Sequence, residues 1–109
     1  MKQPICVTVD PECSIAYIRY LGKDFPFDGS LPLSRDPDGI VRDYTFREKN
    51  YIDSGVIIDV TPDDDIIGFE ILTIEDAESV AVARDYARDN DLAFPSDIRA
   101  AAASRDPAA

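Results

Sequence analysis

Hydrophobic and polar residues alternate along two short stretches of the chain, and a proline-led polar turn interrupts each stretch. The segment VDPECSIAYIR at residues 9–19 resembles VTPDDDIIGFE at residues 60–70, an offset of 51 (60 minus 9). Alternation of this kind is typical of a half-buried β-strand, and a proline early in a polar turn favours a type I turn. Each stretch is therefore predicted to form a β-hairpin, with loops at residues 11–14 and 62–65.

The same pattern predicts which residues share a face. If Thr61 pairs with Ile66, one face of the second hairpin is wholly apolar and carries Val56, Ile58, Val60, Ile67, Phe69 and Ile71. The other face, called the mixed face below, carries Ile57, Asp59, Ile66, Gly68, Glu70 and Leu72. The same rule applied to the first hairpin places Cys6 opposite Arg19 and adds Cys6, Thr8, Ile15, Tyr17 and Arg19 to the mixed face. A slip of one residue would exchange the two faces, so the agreement between the hairpins supports this register.

Residue usage changes once along the chain. Sixteen of the 19 Ile and Val residues fall within residues 5–74, whereas 11 of the 12 alanines lie at Ala77 or later in the chain. Because β-branched side chains suit strands and alanine suits helices, we predict a sheet zone over residues 5–74 and a helical zone over 75–104. Residues 105–109 are predicted to be a frayed tail.

Turn-forming and helix-capping residues complete the predicted fold. Residues 21–39 hold three prolines and three glycines and are predicted to be a long connection, followed by a fifth strand over residues 40–46. Thr73 or Asp76 is expected to cap the first helix, and Asn90 to be its left-handed terminal residue. The prediction is one α+β domain over residues 1–109: an antiparallel sheet of about five strands from two similar hairpins, with one or two C-terminal helices packed on one face.

Five apolar side chains make the mixed face too hydrophobic to be left open to water. These are Ile15, Tyr17, Ile57, Ile66 and Leu72. Either the alanine-rich helix of the same chain or another subunit is expected to cover them, and we favour the helix.

Charge and composition exclude several classes of function. The chain has 22 acidic and 11 basic residues, a net charge of −11, and no histidine. An acidic excess argues against nucleic-acid binding, and no apolar run approaches the roughly 20 residues of a membrane span. We also expect no secretory signal peptide, and two reduced cysteines fit a cytoplasmic protein.

The candidate catalytic and metal-binding groups each have an ordinary structural explanation that we favour. Asp59 and Glu70 are diagonal neighbours on the mixed face and could support acid–base hydrolysis, but they could equally be solvated or paired with Arg19 or Arg42. The adjacent acids Asp63, Asp64 and Asp65 lack the spacing of a calcium loop. Cys6 and Cys13 are predicted to lie too far apart for a disulfide and lack a histidine base. No catalytic residue, metal site or cofactor is predicted.

The two hairpin segments carry a family resemblance. The motifs VDPECSIAYIRY and DSGVIIDVTPDDDIIGFEIL resemble those of the small bacterial family known as domain of unknown function 2283, over residues 5–20 and 53–72. Ser14, Ala16 and Asp65 depart from the usual family pattern. The residues that match the second motif are Gly55, Val56, Asp59, Gly68, Glu70, Ile71 and Leu72. The resemblance implies a compact sheet-based domain without an assigned activity, some members being antitoxin-like partners of small toxins.

These observations predict a non-catalytic interaction domain that binds a protein partner or itself, as a homodimer. The acidic charge would speed the encounter with a basic partner, as an antitoxin-like role requires. A small-ligand or metal-assisted hydrolase that uses Asp59 and Glu70 is the remaining alternative. The expected interaction or ligand face comprises Tyr17, Arg19, Ile57, Asp59, Glu70 and Leu72.

Overall fold

The described part of the chain forms one antiparallel sheet of six strands, followed by a long helix and a short helix. The computed structural model describes residues 1–22, 24, 26–45, 47–48 and 52–103. The elements in chain order are β1 (Cys6–Asp10), β2 (Ile15–Arg19), β3 (Gly29–Arg35), β4 (Val41–Asp43), β5 (Val56–Val60), β6 (Ile66–Ile71), α1 (Ala77–Asp89) and α2 (Ile98–Ala103). The strand order is β1-β2-β6-β5-β3-β4. The predicted α+β class is thus confirmed, with six strands rather than about five.

Both predicted hairpins are present, and their register is the predicted one except at the turn end of the second hairpin. Cys6 lies opposite Arg19 and Asp10 opposite Ile15 in the first hairpin. In the second, Val56 pairs with Ile71 and Asp59 with Gly68. The two hairpins lie side by side because β2 pairs with β6, so their faces form continuous surfaces.

The prediction that residues 21–39 form a connection is wrong for their second half, which contains β3. This strand lies between β5 and β4 and was not predicted because prolines are normally excluded from central strands. The Pro32 carbonyl accepts a hydrogen bond from the Tyr44 amide at 2.9 Å, but proline has no N–H with which to return it. The neighbouring strand β4 ends at Asp43, just before this position. The predicted fifth strand is thus shorter than residues 40–46, and Phe46 lies outside the described residues.

A β-bulge at the turn end of the second hairpin changes the predicted position of Ile66. The register shifts between Asp59 and Val60, so that Val60 lies opposite Ile66. Thr61 accordingly bonds to the Asp65 carbonyl at 2.9 Å, and Asp64 takes a left-handed conformation with φ 64°. Ile66 packs against the core rather than lying on the mixed face. The extra residue of a bulge reverses side-chain alternation locally, which a simple two-residue period does not anticipate.

The helices cover the wholly apolar face of the sheet. Helix α1 lies against β3 to β6 and α2 against β1. Val82, Ala83 and Ala87 of α1 enter the core with Ile58 and Phe69. Asp76 caps α1 by accepting a hydrogen bond from the Glu78 amide at 3.0 Å, as predicted.

The C-terminal end of α1 differs from the prediction by one residue. Asn90 is the C-cap with φ −107°, and the left-handed residue is Asp91 with φ 58°. None of the helices in the described part of the chain is long and apolar enough to cross a membrane. The predicted tail at residues 105–109 lies outside the described residues.

Candidate functional site

The mixed face of the sheet is not covered by the helix, contrary to our expectation. Helix α1 packs on the opposite, wholly apolar face, where its buried side chains meet core residues such as Ile58 and Phe69. Packing on that face removes more apolar surface from water, and one helix layer cannot cover both faces. Ile57 and Tyr17 are consequently only partly buried, and Leu72 remains 39% exposed.

The structure brings the six predicted site residues together on this uncovered surface, which we call the open face. Two rows of residues run across neighbouring strands. The first row pairs Arg19 with Gly68 and Gly68 with Asp59, and the second pairs Tyr17 with Glu70 and Glu70 with Ile57. Leu72 directly follows β6, and its amide donates to the Gly55 carbonyl at 2.8 Å.

Asp59 is held by hydroxyl groups from two other strands. The Tyr17 hydroxyl donates to one Asp59 oxygen at 2.8 Å, and the Ser30 hydroxyl donates to the other at 2.6 Å. Among the described residues, Asp59 forms no ion pair with Arg19 or Arg42, the pairing that was one of its two ordinary alternatives, and Arg42 instead donates to Asp36 at 2.8 Å. Asp59 therefore joins three strands, β2, β5 and β3, through side chains.

Ser30 is the residue of this network that the sequence did not identify. It lies opposite Asp59 on β3, within the segment that prolines and glycines made look like a loop. The signal that could have revealed the strand is the short apolar run Leu31-Pro32-Leu33 between Ser30 and Ser34, with its two leucines two residues apart.

Tyr17 is suited to donate a hydrogen bond but not to ionise. Its partial burial, together with the hydrogen bond to Asp59, raises the pKa of the Tyr17 hydroxyl well above its ordinary value of 10.0. Both effects oppose a negative phenolate next to a carboxylate. The Tyr17 hydroxyl therefore stays protonated and remains a hydrogen-bond donor across the neutral pH range.

In the described part of the chain, the side chains of Arg19 and Glu70 form neither an ion pair nor a hydrogen bond, whereas Asp59 accepts hydrogen bonds from two hydroxyl groups. The Arg19 guanidinium instead lies over the Tyr17 ring, 5.2 Å from its centre, a cation–π arrangement. The Glu70 side chain is partly buried between its strand neighbours Tyr17 and Ile57. A cation and an anion on neighbouring strands are thus available to a partner.

Asp59 and Glu70 lie in the predicted register, but the Asp59 carboxylate is not free. Asp59 lies opposite Gly68 and Glu70 opposite Ile57, so the two are diagonal neighbours as expected. Both Asp59 oxygens, however, already accept hydrogen bonds. Asp59 is thus engaged in holding the sheet together.

The other candidate residues, the three adjacent aspartates and the two cysteines, do not form a site with one another. Among the described residues, no group of three or more acidic or cysteine side chains is placed to hold a metal ion. Asp63, Asp64 and Asp65 are exposed at the turn. Cys6 and Cys13 are both free thiols, with Cys13 the more exposed.

No known protein family, curated protein or solved structure matches this chain. The inference of function therefore depends on the geometry of the open face.

Proposed function

We propose that this chain is a non-catalytic interaction domain that associates with a second copy of itself through the open face. The observation that carries this proposal is an uncovered sheet face on which a cation, Arg19, and an anion, Glu70, lie on neighbouring strands without an ion pair to any described residue. Apolar side chains accompany them, namely Tyr17, Ile57 and Leu72.

The positions of the two charges make the open face complementary to itself. Arg19 on β2 and Glu70 on β6 lie on adjacent strands, about 4.8 Å apart, in rows separated by two residues or about 7 Å. A two-fold axis that runs between these rows, parallel to the sheet, exchanges the rows of the two copies. Arg19 of each copy then lies near Glu70 of the other, and two sheets stacked about 10 Å apart bury the apolar side chains between them.

Charge exchange tests this arrangement. We expect light scattering at about 100 μM to give twice the chain mass of 12.0 kDa, since standard interfaces of about 800 Å² per partner support affinities in the micromolar range or better. Arg19→Glu and Glu70→Arg should each weaken the dimer at least about fivefold through like-charge contacts. The double variant R19E/E70R should return to within about threefold of the parent, because the pair is restored with its sign reversed.

Matched controls lie on the other side of the sheet. Arg88→Glu and Asp89→Arg make the same charge changes on exposed positions of α1 and should leave the dissociation constant within about twofold. A chain that stays monomeric at this concentration, or a double variant as weak as the single ones, would contradict self-association through this pair.

A basic protein partner is the second candidate, favoured by the net charge of −11. The antitoxin-like role implied by the family resemblance belongs to this class. The two candidates respond differently to Arg19→Glu: an added negative charge strengthens binding of a basic partner but weakens self-association. We also infer a cytoplasmic location, which is supported by the free thiols of Cys6 and Cys13.

The hydrolase alternative requires Asp59 to transfer a proton to or from a substrate, or to bind a metal ion. Each Asp59 oxygen already accepts a hydrogen bond, from Tyr17 or from Ser30, and loss of these bonds would loosen the contact between three strands. We therefore favour a structural role for Asp59 and an interaction role for the surface around it.

A further inference from the structure

A groove of about 450 Å³ lies in the helical layer, between α1 and the segment that follows it. This volume falls within the range of about 300–1,000 Å³ that is usual for small-molecule sites. The basic residues of the groove are Arg84 and Arg88, Ser96 is polar, and the apolar residues are Met1, Val80, Leu92, Ala93, Phe94 and Pro95.

The spacing of residues on α1 forms one wall of the groove. Val80, Arg84 and Arg88 recur every four residues and therefore lie along one side of the helix. The floor begins with Leu92, whose amide donates to the Ala87 carbonyl at 2.8 Å where the left-handed Asp91 turns the chain back.

The opposite wall is fixed by contacts with the core. The Tyr20 hydroxyl donates to the Ala93 carbonyl at 2.7 Å. The Phe94 ring meets the buried Phe69 ring edge-on, with centres 6.3 Å apart. The groove is thus a fixed depression and not a gap between loose segments.

The charge of the groove is opposite to that of the chain as a whole. No acidic side chain lines it in the described part of the protein. The ion pair of Arg84 with Asp85 is long, at 3.6 Å, and Asp85 already accepts a 2.8 Å hydrogen bond from Arg35. The Arg88 side chain is exposed at the end of the helix. Two guanidinium groups therefore face an apolar floor without a carboxylate across from them.

We propose that this groove binds a small amphipathic carboxylate. Its aliphatic chain lies on Val80, Leu92 and Phe94, and its carboxylate accepts hydrogen bonds from Arg84 and Arg88. Guanidinium groups match the planar geometry of a carboxylate, while the apolar floor selects a ligand with a hydrophobic body. This site is independent of the proposed dimer, because it lies on the helical side of the sheet.

Decanoate is a suitable probe, with decanol and acetate as controls for its two parts. Titrations followed by methyl NMR should show decanoate shifting the signals of Val80 and Leu92, with a dissociation constant in the millimolar range or below. Decanol, which keeps the chain but lacks the charge, should bind at least about tenfold more weakly. Acetate, which keeps only the charge, should shift none of these signals at the same concentration.

Substitution of the arginines tests the charged half of the site. The variant R84Q/R88Q should weaken decanoate binding at least about tenfold, whereas Arg47→Gln, an exposed arginine outside the groove, should leave it within about twofold. Retention of the parent's methyl spectrum shows that the double variant is folded, and if that variant unfolds, R84K/R88K replaces it with a smaller expected loss. Equal binding of decanol and decanoate, unchanged affinity in the arginine variants, or shifts confined to the open face would overturn the proposal.

Discussion

The ring of Tyr17 lies directly over Gly68 on the neighbouring strand. A Cβ atom added at Gly68 would lie 2.7 Å from two carbons of this ring, Cε1 and Cζ. The absence of a side chain at Gly68 lets the ring cross β6 and lets its hydroxyl reach Asp59 on β5. An aromatic ring that covers a strand glycine also shields the backbone there, which compensates for the low strand propensity of glycine.

Replacement of Gly68 by alanine should destabilise the protein by about 1–3 kcal/mol. The added methyl group meets the Tyr17 ring and also the Ile18 carbonyl oxygen at 2.6 Å, and the backbone atom cannot move aside. Urea unfolding measures the loss. Gly29→Ala is the matched control, because a Cβ at Gly29 meets nothing within 4 Å. Equal stability of the two variants would show that the ring does not lie over Gly68.

Removal of the Tyr17 hydroxyl should destabilise the protein less than the replacement of Gly68 by alanine. In Tyr17→Phe the ring stays in place and Asp59 keeps its hydrogen bond from Ser30, so we expect a loss of about 1 kcal/mol. A double-mutant cycle with Asp59→Ala isolates the interaction and should give a coupling energy of similar size. A coupling energy near zero would mean that a hydrogen bond from water to Asp59 stabilises the protein as much as the one from Tyr17.

Stability should fall in alkaline solution. Burial, assisted in Tyr17 and Tyr86 by a carboxylate partner, raises the pKa of three tyrosines, Tyr17, Tyr20 and Tyr86, above the ordinary value of 10.0. Because the folded state holds these protons more tightly than the unfolded state, their contribution is complete below about pH 10 and is lost as the pH rises above it. The free energy of unfolding should decrease by at most about 1.4 kcal/mol per pH unit for each tyrosine.

Urea midpoints at about pH 8 and pH 11, with the ultraviolet absorbance of tyrosinate in the same samples, check this prediction. Tyr86→Phe should show a shallower decrease, since one of the three groups is gone. Ionisation of all tyrosines near pH 10 in the folded protein would contradict it.

Arg35 links the sheet to α1, and its removal should show an acid-dependent loss of stability. Its guanidinium donates to Asp85 at 2.8 Å and to Glu78 at 2.9 Å. Burial by itself would raise the pKa of Asp85, but the hydrogen bond and charge of Arg35 outweigh it and hold the pKa below its ordinary value of 3.8. The corresponding stability is present above this pH and is lost as the pH falls through the lowered pKa.

Arg35→Gln should therefore lower the free energy of unfolding by about 1 kcal/mol at neutral pH, and the difference from the parent should shrink as the pH falls below 3.8, the ordinary pKa of the Asp85 carboxyl. Urea unfolding across this pH range measures the difference. Arg47→Gln, an exposed substitution of the same kind, should change stability by less than about 0.5 kcal/mol throughout. A difference that persists undiminished in acid would assign the role of Arg35 to packing.

Local patterns identified the hairpins because their information is local. Alternation over five residues on each side of a proline turn was enough to place Arg19 opposite Cys6 and Gly68 opposite Asp59. Strand β3 was missed because Gly29 and Pro32 within it, and the prolines and glycines around it, have the local preferences of a loop, which pairing with β5 overrides.

The sequence by itself determined the α+β class, the two hairpins with their register, and the six residues that share the mixed face. Periodicity and turn chemistry specify these features without knowledge of distant contacts. Only the tertiary structure decided that α1 covers the opposite face, that Ser30 and Tyr17 hold Asp59, and that Arg84 and Arg88 flank a groove. These features depend on which surfaces are most stabilised by burial and on contacts between residues far apart in the chain. A local sequence pattern contains neither kind of information.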